Sequence, residues 1–188
     1  MQQYHRRVAR SATLILLGLL CSPLLAMQCA SPGQDGEHAS QTIINSYFTG
    51  PDDAVVQAGS QLLPIRRQRG NGELNRGDLA LLLQWQGATI DSANRPGYGR
   101  VLDAPLHQEW VTVIQPGVGQ VRVRGGGPDG GLLFAYRNAP ASHQQGRSRW
   151  QLVRVPQFNS LSLRQDLKAL PWNGYTGGVL AVDVRRQL

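Results

Sequence analysis

From residue 41 onward the apolar residues come in short runs, and glycine, proline or asparagine separates one run from the next. This is the pattern of strands joined by turns. The 22 glycines and 11 prolines supply the turns, while 41% hydrophobic residues supply a core that a disordered chain lacks. Strands are predicted at 42–48, 54–58, 61–65, 79–86, 109–115, 120–124, 132–136, 150–155 and 179–184. In Gln120-Val121-Arg122-Val123-Arg124 the valines face one way and the polar groups the other, as a half-buried strand requires. Leu79-Ala80-Leu81-Leu82-Leu83 is continuously apolar and reads as a strand buried on both faces. A helix capped by Asn75–Asp78 is the alternative there, and the shortness of the run favours the strand. The leucines of Ser160–Leu170, closed by Pro171, form another short helical candidate. The expected fold is all-β: a single domain over residues 41–188, a β-sandwich or the capping start of a β-solenoid, with at most one short helix.

The N-terminus carries a different signal. Arg6, Arg7 and Arg10 precede an apolar run from Ala12 to Leu20, which continues past Cys21 and Pro23 to Ala26. A positive start, a short apolar stretch and a small terminal residue read as a secretory signal peptide over residues 1–26. The stretch is too short and broken to span a bilayer, which needs roughly 20 residues. The predicted mature chain therefore has no membrane span and is periplasmic, cell-surface or secreted, with residues 27–40 as a flexible, turn-rich leader. Loss of the three arginines lowers the formal charge from +7 to about +4, too mildly basic to indicate a nucleic-acid partner. Cys29 then stands as a lone thiol, either tolerated near a loose terminus or bridged to another chain.

Motifs for chemistry are sparse. His38, His107 and His143 lie in turn-rich segments without metal-ligand spacing and read as solvated or leader residues. The cluster Gly125–Gly131 lacks the lysine and threonine of a phosphate loop and precedes a predicted strand, so it reads as a connection. Asp91–Gly99 is an oxygen-rich loop without the acid series of an EF-hand, and reads as a loop rather than a calcium site built on Asp91 and Asn94. Arg66, Arg67 and Arg69 beside Gly70-Asn71-Gly72 read as a solvated basic hairpin. The acids are well separated, so a glycosidase pair would need tertiary proximity. Aromatic rings remain as candidate ligand contacts: Trp85, Trp110, Trp172 and Tyr98, which either stack on sugars or fill a β core.

Three tracts taken together, Arg76–Gly99, Trp150–Phe158 and Trp172–Asp183, with Cys29–Gly36 ahead of them, resemble the N-terminal region of large, glycine-rich, secreted or surface-exposed bacterial repeat proteins. The resemblance covers almost the whole mature chain in order. It implies an adhesin-like or cell-envelope setting and brings no catalytic residues with it. Those larger proteins continue into glycine-rich repeats beyond the tract matching Gly177–Val184. A last strand here would present an edge needing cover by a partner or by Arg185 and Arg186. The expected function is a non-catalytic surface or extracellular structural or adhesion-like module, with envelope glycans or other surface proteins as partners. A secreted carbohydrate-binding or carbohydrate-active protein is the alternative. No cofactor or metal is expected.

Overall fold

The computed structural model describes residues 31–38 and 42–187. The signal-like segment 1–26 and Cys29 lie outside the described residues. The strands are β1 Glu37–His38, β2 Ser46–Thr49, β3 Val55–Val56, β4 Leu62–Pro64 and β5 Arg67–Arg69, then β6 Leu79–Gln84, β7 Thr89–Ile90 and β8 Val101–Asp103. They continue with β9 His107–Gly117, β10 Gln120–Arg124, β11 Tyr136–Arg137, β12 Trp150–Val155, β13 Gln157–Leu161 and β14 Asp183–Gln187. A 3₁₀ turn at Pro128–Gly130 is the only helix among the described residues. The fold is all-β, as the run pattern predicts.

Seven strands form one antiparallel sheet in the order β4-β10-β9-β6-β12-β2-β5. The strands at its two edges, β4 and β5, are separated in the chain only by Ile65 and Arg66. Ile65 N–H donates to Gly119 O beside one edge and Arg66 N–H donates to Thr49 O beside the other. The sheet must therefore curl until its edges meet at that link. Neither a solenoid nor a fully closed barrel forms among the described residues. The curl brings Leu63, Val113, Val121 and Val123 from one half together with Phe48, Leu82, Trp150 and Leu152 from the other in a single core. Its inward positions are those that strand alternation selects: in β10, Val121 and Val123 are buried while Gln120, Arg122 and Arg124 are exposed.

Polar groups organise this core from inside. Glu109 points inward from β9 and is buried; it accepts hydrogen bonds from the N–H groups of Leu133 and Phe134 and from the Tyr136 hydroxyl. A buried carboxylate satisfied in this way fastens the segment leading to β11 against the sheet. Near another edge of the core, the Arg154 guanidinium bonds Asp78 at 2.8 and 3.1 Å and also pairs with Asp35, tying the N-terminal residues to β12. Gly131 permits the closest backbone approach nearby, since a Cβ there would lie 2.1 Å from Gly59 O.

A smaller sheet, β1-β13-β14, is parallel throughout, and Ile44, Phe158 and Leu161 form its own apolar cluster with Leu167, Val182 and Val184. Of the leucines of Ser160–Leu170, Leu161 and Leu167 contribute to this cluster, from a strand end and an irregular segment, and no helix forms there. His107 is half-buried rather than solvated: its ring stacks on Phe134 at 4.7 Å and meets Tyr136 edge-on.

Two phenols are held protonated by this packing. Burial pushes Tyr136 upward, and the adjacent Glu109 charge adds to it; burial also raises Tyr47. The unfolded chain ionises these groups at about pH 10, so their stabilisation is intact below that pH and declines above it. The expected slope is up to ~1.4 kcal/mol per pH unit for each phenol. Urea melts between pH 9 and 11.5 should show this loss, and Tyr136→Phe should make the decline shallower; an unchanged slope would contradict the assignment.

Candidate functional site

Residues opposite one another in the ladders share a face of the sheet. On the outer face of the curl, Arg69, Tyr47, Val153, Leu81 and Trp110 form one row across five strands. Gln151 and Leu83 belong to the next row. Residues 170–182 cross this face without regular secondary structure. Leu170 and Val179 pack on Tyr47, Leu83 and Val153, which explains why β6 and β12 are buried on both sides. The continuous apolar run of β6 is the sequence counterpart of that double burial.

Side chains, not a strand ladder, hold this strap. Gln151 donates from Nε2 to Gly177 O at 3.0 Å and accepts from Gly177 N–H at Oε1 at 2.9 Å. Asn45 does the same further along, donating to Ala181 O at 2.7 Å and accepting from Ala181 N–H at 3.1 Å. The Tyr47 hydroxyl donates to Val179 O, and Arg69 donates to the carbonyls of Pro171 and Thr176. Each amide reproduces the donor–acceptor pair that a neighbouring strand would offer. Gly177 suits its place because its φ is +112° and a Cβ would sit 2.5 Å from Pro171 O.

Where the strap turns back, a cavity of about 280 Å³ opens between it and the sheet. Trp85, Gln86, Arg149 and Gln151 line its sheet side, and Trp172 with Gly177–Val179 line the strap side. Its volume is near the lower end of the ~300–1,000 Å³ usual for small-ligand sites. Trp85 is 55% exposed and Trp172 40%. Two indoles distant in sequence thus border one opening. A larger concavity of about 560 Å³, between β4, β9 and β10, has no aromatic lining residue.

Two residues of the cavity wall each carry an incompletely satisfied polar atom. Gln86 Oε1 and Arg149 Nε are buried and have no hydrogen-bond partner among the described residues. Such a group costs about 1–3 kcal/mol unless something supplies the missing bond. The Arg149 side chain is only 5% exposed. Its Nη1 donates to Ala139 O and Ser148 O, and its Nη2 lies 3.4 Å from Asp52 Oδ1. Asp52 is already held by Arg67 at 2.9 and 3.1 Å. Those bonds, with the nearby charges of Arg149 and Arg66, keep its carboxyl below the usual range. The guanidinium carbons of Arg67 and Arg149 also lie 4.4 and 5.2 Å from the Tyr175 ring centre.

Of the aromatic residues singled out from sequence, Trp85 and Trp172 come together here. Trp110 is half exposed on β9 and does not line the cavity. Tyr98 is 73% exposed in the loop between β7 and β8, also outside it. In that loop Asp91 is buried and occupied by Arg95 at 2.9 and 3.1 Å and by Ala93 N–H, so its oxygens serve an ion pair. The arginines expected in a solvated hairpin instead include a strand, β5, with Arg67 on Asp52 and Arg69 on the strap. Among the described residues no group of His, Cys, Asp and Glu is placed to hold a metal ion, and no helix is long and apolar enough to cross a membrane. The chain matches no known family, curated protein or solved structure with which it was compared.

Gln151→Leu keeps the approximate volume but leaves Gly177 N–H and C=O unpaired, at a cost of about 1–3 kcal/mol. Hydrogen exchange should then accelerate in residues 170–182 while the β9 and β10 amides stay protected. Unchanged protection of the strap would show that the clamp does not hold it.

Proposed function

We propose that this protein is an exported, non-catalytic binding module of the cell surface or extracellular space, adhesion-like in role, that takes glycans at the Trp85–Trp172 cleft. The observation carrying this reading is the pairing of two exposed indoles across one cavity, with unsatisfied hydrogen-bonding groups in its wall. A sugar ring presents an apolar C–H face and a rim of hydroxyls. Indole faces suit the first, and groups such as Gln86 Oε1 and Arg149 suit the second. The N-terminal pattern of Arg6, Arg7, Arg10 and the following apolar run supports export.

The carboxylates support binding over hydrolysis. Hydrolysis of a glycosidic bond by the usual route needs two carboxyls flanking it, ~5–10 Å apart. Among the described residues no Asp or Glu lines the cleft. Asp35 and Asp78 are engaged with Arg154, Asp52 with Arg67, Asp91 with Arg95, and Glu109 with backbone N–H groups. Each is accounted for by the fold.

Trp85→Ala and Trp172→Ala should each weaken binding to a responsive oligosaccharide by about tenfold, or ~1.4 kcal/mol, with Trp110→Ala close to wild type. Calorimetric titration against a panel of neutral and acidic oligosaccharides checks this. Failure of the wild-type protein to bind any of them, or equal losses in all three variants, would overturn the assignment.

A further inference from the structure

We infer that the sugar taken by the Trp85–Trp172 cleft is acidic, its carboxylate received by Arg149; this rests on the glycan-binding reading above. Arg149 is the one charged residue of the cavity wall among the described residues, and its side chain is almost wholly buried. Its hydrogen-bonding capacity is unevenly used. Nη1 has two carbonyl acceptors, whereas the side-on edge formed by Nε and Nη2 has only the 3.4 Å contact with Asp52. A planar carboxylate fits such an edge with two parallel bonds.

The local charge balance points the same way. Arg66, Arg67 and Arg149 all act on Asp52, and Arg67 alone occupies both of its oxygens. Arg69 adds a further positive charge where it grips the strap. Around Asp52, the guanidiniums of Arg66, Arg67 and Arg149 therefore outnumber the carboxylate on which they act. A neutral sugar would satisfy Gln86 Oε1 through a hydroxyl and could stack on the indoles. It would leave that excess charge unanswered. A uronic acid residue answers both, with its ring between Trp85 and Trp172, a hydroxyl donating to Gln86 and its carboxylate at Arg149.

The full chain is titrated with oligogalacturonate and oligoglucuronate and with each of these after reduction of its carboxyls to neutral alcohols. At least one acidic oligomer should bind ten times or more tightly than its reduced form. Its affinity should fall as the pH is lowered through the carboxyl range, near pH 3–4. Arg149→Gln should erase the preference while the two tryptophan variants weaken both forms. Because Arg149 is buried, that variant can fail to fold; the comparison of acidic and reduced sugars on the wild-type protein then decides alone. Equal affinity for acidic and reduced oligomers would overturn the acidic specificity and leave glycan binding standing. Binding of neither form would overturn the acidic specificity, and glycan binding itself would fall only if the wider oligosaccharide panel also failed to bind.

Discussion

Two residues, Ile65 and Arg66, join strands that stand at opposite ends of a seven-stranded sheet. A trans-peptide chain of that length spans less than about 15 Å even with its flanking residues, so an extended sheet is impossible. The sheet has to curl, and the curl defines an inside and an outside. Inside, Val, Leu, Phe and Trp side chains from both halves fill one core, with Glu109 holding the segment before β11. Outside, Tyr47, Leu83 and Val153 are left as an apolar stripe that must be covered. Residues 170–182 provide the cover.

The way that cover is attached creates the site. A further strand in a ladder would close tightly along its length and leave little space. The strap instead is fixed at discrete points by Gln151, Asn45, Tyr47 and Arg69. At the Gln151 point the backbone turns, and Gly177 and Gly178, both at positive φ, let it do so beside Trp172. The cleft lies at that turn. Its wall contains buried polar atoms that the fold itself does not satisfy, a cost more easily understood where a ligand completes the bonds. The Tyr175–Arg67–Arg149–Asp52 cluster stands behind the cleft and couples strap, β5 and the start of β12 through charge rather than apolar contact.

Strands with strict or continuous apolar patterns were legible from sequence. Gln120–Arg124 and Trp150–Val155 have the predicted limits, and Leu79–Gln84 ends two residues early. The misses share a cause: tertiary contacts overrode local pattern. Leu163, Leu167 and Leu170 have the i, i+4, i+7 spacing that helices use, yet Leu167 packs in the small parallel sheet's cluster and Leu170 against Tyr47, Leu83 and Val153. Arg67 and Arg69 look like solvent-facing charge, and only the fold brings Asp52 and the strap carbonyls to them. Nothing local in the sequence marks Gln151 as a clamp, although it is buried as one. Trp85 and Trp172 were recognisable as aromatic candidates one at a time. Their meeting was not, because 87 positions separate them and nothing local specifies which face the strap will cross. Arg149 and Gln86 carried no signal at all beyond adjacency to a tryptophan.

The four tryptophans permit a direct reading of the cleft. Trp150 is fully buried, Trp110 stands outside the cavity, and Trp85 and Trp172 border it. Their indole N–H resonances can be followed by two-dimensional NMR while oligogalacturonate or oligoglucuronate is added to the protein. The signals of Trp85 and Trp172 are expected to move together along one saturable curve, with Trp150 and Trp110 nearly stationary. Movement centred on Trp110, or no saturable shift at either Trp85 or Trp172, would contradict a ligand site at the strap.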